Sequence, residues 1–90
     1  MQVELRGTVT VIYSEEKINE NLDKKEIVIT VDEKTEYPQD IIVEAINKQI
    51  KLLQDIKVGD SVVAKCNLRG KKSSNGKHYN KLNVWEIVKL

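Results

Sequence analysis

Apolar and polar residues alternate strictly over Val3–Tyr13, with Val3, Leu5, Gly7, Val9 and Val11 on one face and Glu4, Arg6, Thr8 and Thr10 on the other. A period of two predicts a half-buried β-strand, because successive side chains leave an extended backbone on opposite sides. Gly7 falls on the buried side, where a missing side chain allows a bulge or a sharp coil. SEEKINENLDKK (14–25) is polar and has no firm period, so it reads as a loop. Glu26–Val31 is a second strand, DEKTEYPQD is a turn in which Pro38 bars a regular sheet interior, and Ile41–Ile46 is a third strand.

The period then changes. Ile46, Ile50, Leu53 and Ile56 recur at spacings of four, three and three, which describes one face of a helix. Asn47 is positioned as its N-cap, and Gly59 can take positive φ where the chain leaves it. Ser61–Gly70 is a fourth strand with Val62, Ala64, Cys66 and Leu68 on one face. Asn75-Gly76 marks a hairpin into a fifth strand, HYNKLNVWEIVKL. Its register has two solutions. A two-residue turn pairs Ser74 with Lys77 and sets Trp85 opposite Cys66, facing the core. An odd-length loop or a bulge turns Leu82 and Val84 inward and releases Trp85 and Tyr79 to the outer face. The second solution is preferred, because the first would bury Lys81 and Asn83.

The order β-β-β-α-β-β within 90 residues fits one domain, 1–90, mainly β. The expected architecture is a small five-stranded antiparallel OB-fold barrel whose short helix, between strands three and four, plugs one end through Ile46, Ile50 and Leu53. A small α+β sheet with the helix across one face is the competing arrangement.

Charge adds a direction to this picture. Residues 1–60 carry eight Lys/Arg against thirteen Asp/Glu, and residues 61–90 carry seven against one. The segment Lys65–Lys81 contains Lys65, Arg69, Lys71, Lys72, Lys77 and Lys81 and no acid. One domain thus acquires an electropositive side, the footprint of a polyanion partner. Lysines on exposed strands also guard sheet edges, which is the plain structural reading of the same residues. Cys66 is the single cysteine, so no internal disulfide forms and a reducing, cytoplasmic setting is expected. No apolar run approaches a membrane span.

The segments RGTV (6–9), Tyr37-Pro38, IKVGDSVV (56–63) and NLRGKKSSNGKHYNKLNVWEIVK (67–89) together resemble a family of small prokaryotic and phage proteins of unassigned function. That family is similar to single-stranded-DNA-binding proteins. The resemblance runs from Lys24 onward and is weaker over Glu15–Asp23. It implies an OB-fold and the binding of single-stranded nucleic acid. The chain departs from the family pattern at Ile27 and His78, where aromatic residues are common, and it has no Phe.

Single strands are held by a basic groove along the phosphates and by rings on which bases stack. Lys65, Asn67 and Arg69 alternate with the apolar residues of the fourth strand and point outward. Lys71, Lys72 and Lys77 extend the patch through the hairpin, and Lys81 follows. Tyr79 is the first candidate for stacking, with Trp85 beside it if the outer-face register holds; Tyr37 reads as turn packing. In OB-folds the hairpin between strands four and five frames the ligand cleft together with the loop between strands one and two. That loop is rich in acids, so Lys24 and Lys25 would have to face inward. His78 has no neighbouring partner for catalysis, Cys66 reads as a small core residue, and no spacing resembles a metal site. The expected function is therefore non-enzymatic binding of single-stranded nucleic acid, DNA before RNA, with no cofactor, no metal and no membrane. A second copy of the chain and a replication or repair protein are further candidate partners. The alternative is an oligomerisation or protein–protein module using Val28, Ile42 and Val63, which alternate onto the outer faces of their strands.

Overall fold

The strand on which the sheet turns is β1 (Gln2–Ile12). The computed structural model describes residues 1–90, and in it β1 pairs with two partners. Its first part, Gln2–Thr8, runs antiparallel to β5 (Ser61–Lys72), and its second part, Gly7–Ile12, runs antiparallel to β3 (Leu22–Val31). Gly7 and Thr8 pair with both. A side chain at Gly7 would run into the backbone of Thr30, with the carbonyl carbon 2.9 Å from an added Cβ. The glycine thus permits the close approach that lets one strand serve both sides of the sheet.

The remaining strands are β2 (Glu16–Asn19), β4 (Gln39–Ile46) and β6 (His78–Lys89). The sheet order is β1-β5-β6-β4-β3-β2, and the β1–β3 pairing joins its two sides. The link between β4 and β6 is one parallel bridge, Glu44 to Asn83. Val9, Ile27, Ile29, Val43, Ala45, Val62, Ala64, Cys66 and Val84 meet inside, where Leu53 and Ile56 join them. Burial pushes the Cys66 thiol up to about 11, so it stays protonated and packs as a small apolar group. No helix is long and apolar enough to cross a membrane.

Four expectations change. First, there are six strands, because Glu16–Asn19 folds back on β3 as a short hairpin instead of a loop. All four residues of β2 are exposed, so no inside–outside alternation marks it in the sequence. Second, the β1 alternation breaks at a bulge between Val9 and Val11, after which Ile12 packs on the core and Val11 is exposed.

Third, the helix is a 3-10 helix over Asn47–Leu53. The i, i+3 spacing of Ile50, Leu53 and Ile56 suits three residues per turn better than 3.6. Ile46 closes β4 on its outer face, as Ile42 and Glu44 do, and does not join the plug. Asn47 does not cap the helix: it sits at φ 52, a conformation Asn tolerates. Its Oδ1 accepts from the Asp23 N–H (2.8 Å) and its Nδ2 donates to the Asn21 carbonyl (3.2 Å), tying the β2–β3 turn to the end of β4. Fourth, Val28 is only 7% exposed whereas its cross-strand neighbour Ile42 is 53% exposed, and Val63 is half-buried. The three do not form one open apolar face.

Candidate nucleic-acid interface

The β5–β6 hairpin carries the basic segment, and its turn decides which way every side chain points. The Ser73 N–H donates to the Lys77 carbonyl (2.7 Å), and the Gly76 N–H donates to the Ser73 carbonyl (3.1 Å), with Gly76 at φ 85. The loop is therefore odd in length, and Lys72 pairs with His78, Lys71 with Tyr79 and Arg69 with Lys81. Val84 is fully buried and Leu82 packs against the core. Lys81 and Asn83 lie on the outer face. At the other end a bulge between Lys65 and Cys66 leaves Trp85 without a partner before Lys65 pairs with Glu86.

The outer face of this hairpin is one wall of a groove of about 790 Å³. Arg69, Lys71, Lys72, Tyr79 and Lys81 line that wall, with Ser73 and Ser74 near its end. Ile18, Leu22 and Ile46 form an apolar wall opposite, Lys24 stands beside them, and Glu44 and Asn83 make the floor. The turn held by Asn47 places Leu22 and Lys24 there. Of the two lysines expected to face inward, Lys24 lines the groove and Lys25 does not. The acids of residues 15–23 do not line it either.

Five cations thus face one carboxylate. Lys24 lies 4.0 Å from Glu26 and Lys81 lies 3.7 Å from Glu44, whereas Arg69, Lys71 and Lys72 make no ion pair. Tyr79 is 51% exposed beside them. These side chains offer what a phosphate chain and a flat ring need: unneutralised cations next to an open aromatic face.

The other sequence-derived candidates lie elsewhere. Lys77 is on the hairpin turn, outside the groove lining. Asn67 is half-buried opposite Asn83. Lys65 is paired with Glu86 at 3.0 Å and stands 5.8 Å from the centre of the Trp85 ring. Trp85 is half-buried at the bulge, belongs neither to the core nor to the groove, and its Nε1 has no hydrogen-bond partner. Sequence reasoning missed Ile18, Leu22, Ile46, Glu44 and Asn83 as groove residues. Glu44 and Asn83 carried a usable signal: each is a polar residue set between core-facing apolar neighbours, Val43 and Ala45, and Leu82 and Val84.

The fold is mainly β and has OB-fold neighbours among solved structures. The yeast mitochondrial single-stranded DNA binding protein Rim1 (S. cerevisiae) superposes with a TM-score of 0.81 at 14% identity, over 100% of this chain and 95% of that one. A second crystal form of Rim1 gives 0.79 at 15% identity, over 99% and 92% of the two chains. The N-terminal domain of PriB from Thermoanaerobacter tencongensis, a dimeric structure, gives 0.73 at 17% identity, over 99% and 94%. At these identities the likeness is one of fold. No protein of curated function matches the sequence. The chain belongs to the family described as "Domain of unknown function (DUF3127)", whose model matches residues 4–88.

Proposed function

We propose that this protein binds single-stranded nucleic acid, DNA in preference to RNA, along the groove between the β2–β3 and β5–β6 hairpins. The observation that carries the reading is the coincidence of three unpaired cations, Arg69, Lys71 and Lys72, with an exposed Tyr79 on one groove wall. The cations contact phosphates, Lys77 adds to the field at the hairpin tip, and a base stacks on Tyr79. The apolar wall of Ile18, Leu22 and Ile46 gives the far side of a base a dry surface. The likeness in fold to Rim1 and PriB supports the same reading. Nothing in the arrangement requires a metal or cofactor to act, and the role is binding without catalysis.

Stacking on Tyr79 selects strands with free bases, since it needs an unpaired π-face. Fluorescence anisotropy with a labelled ~20-nucleotide oligothymidylate, and a duplex of equal length as control, tests the proposal. Neutralising three to five phosphates gives a slope of log K against log salt of about −2 to −3.5. Affinity then falls roughly 20- to 100-fold between ~50 mM and ~200 mM salt. Absence of binding at the lower salt, or equal affinity for the duplex, contradicts the proposal.

A further inference from the structure

Glu44 and Asn83 are bridge partners across β4 and β6, so their side chains stand next to each other on the groove floor. Both are almost wholly buried, at 4% and 8% exposure. Asn67 continues the row on β5 and Glu26 continues it on β3. The Asn83 amide makes no hydrogen bond, and its Nδ2 is fully buried without a partner. An orphaned buried donor costs stability, and an apolar residue of similar size would avoid that cost. The Glu44 carboxylate makes no hydrogen bond either; its one ion pair is with Lys81 at 3.7 Å.

A fixed negative charge on the floor repels phosphate. The three unpaired cations stand on the wall above it. The two together orient a strand, with phosphates along Arg69, Lys71 and Lys72 and the base edge turned down to the floor. We infer that Glu44 and Asn83 form a base-reading subsite that selects guanine over thymine; this rests on the binding groove proposed above. Guanine presents two adjacent donors, N1–H and the N2 amine, to the two oxygens of a carboxylate, and its O6 accepts from the Asn83 amide once that buried side chain turns up into the groove. Thymine presents a single N3–H between two carbonyls, so one carboxylate oxygen meets a carbonyl. Cytosine and adenine, each with one amine beside a ring nitrogen, fall between. A site whose buried polar groups are paired by one base and left unpaired by another discriminates strongly.

The test compares oligothymidylate with a strand of equal length in which every fourth position is deoxyguanosine, spaced to prevent quadruplexes, at one salt concentration. The guanine strand binds about tenfold tighter. Glu44→Gln and Asn83→Leu each bring the ratio of the two affinities toward one, with the loss on the guanine strand. Asn83→Leu also melts no lower than the parent, because it removes an unpaired buried amide. Equal affinity of the parent protein for the two strands overturns the subsite and leaves the groove standing. Binding of neither strand overturns both. A tenfold ratio that persists in both variants places the selectivity elsewhere and overturns the assignment; if Asn83→Leu fails to fold, Glu44→Gln alone decides.

Discussion

The two ends of the β5–β6 ladder treat charge in opposite ways. At the hairpin end Arg69, Lys71 and Lys72 have no acidic partner and line a groove. At the far end Lys65 is held by Glu86 at 3.0 Å and Lys89 by Asp60 at 3.4 Å. Asp60 also accepts the Lys57 backbone N–H at 2.8 Å, and that bond is the largest cause holding its carboxyl below the usual value; Lys89 adds to it. Both ends belong to the same pair of strands, so sheet building does not explain the difference. Exposed ion pairs contribute little stability, and leaving lysines unpaired costs little by itself. What the unpaired end retains is a positive field aimed at one concave surface, where a polyanion can release counterions. The bulge at Trp85 is the divider between the two regimes.

Reversing the unpaired end is the most severe way to break this contrast. Arg69→Glu, Lys71→Glu and Lys72→Glu together lower affinity for oligothymidylate by roughly 100-fold or more. The melting temperature moves little, since none of the three side chains is buried in the core; anisotropy and a thermal melt on one preparation check both halves. The scaffold that holds the two ends apart depends on Gly7. Gly7→Ala forces a methyl group against the Thr30 backbone and destabilises the fold by roughly 2 kcal/mol, read in a urea titration.

Tyr79 sharpens the comparison within the hairpin itself. Tyr79→Ala weakens binding by about tenfold, the loss of one stacked base, while Tyr79→Phe binds as the parent does. The salt slope stays the same in both, because no charge is lost. Asp60→Asn probes the paired end and gives the smallest effect. The folded-state pKa of Asp60 lies below its ordinary value of 3.8, so its contribution to stability is fully present above that pH and fades as pH falls through the lower folded value. The variant therefore melts slightly below the parent at neutral pH, and the gap closes in acid. Melting curves followed from neutral pH down to about pH 2 check the sign.

Much of the contrast was legible before the fold. The period-two core positions Val62, Ala64 and Cys66 and the acid-free run Lys65–Lys81 are local patterns, and the side chains take the faces the alternation dictates. The inward turn of Val84 was legible too, through the improbability of burying Lys81 and Asn83. Features set by single-residue slips were harder to read. The bulge at Thr10 exchanges Val11 for Ile12, and the bulge at Trp85 sets Glu86 opposite Lys65, yet neither carries a Gly or Pro to announce it. The apolar wall was hidden for a different reason. Ile18 and Leu22 lie in a polar stretch whose β2 strand is exposed throughout, and the β2–β3 and β3–β4 ladders, with the Asn47 tie from a distant element, fix where they stand. Glu44 and Asn83 meet through the one bridge between β4 and β6, a long-range contact with no local periodicity.

The most direct test of the central claim is an amide-resolved NMR titration of the labelled protein with oligothymidylate. Shifts are expected to concentrate on Leu22–Lys24, Glu44–Ile46, Arg69–Ser74 and Tyr79–Asn83, while Ser61–Lys65 and Glu86–Lys89 stay still. Shifts centred on the Lys65–Trp85–Glu86 end, or no shifts at low salt, would contradict it.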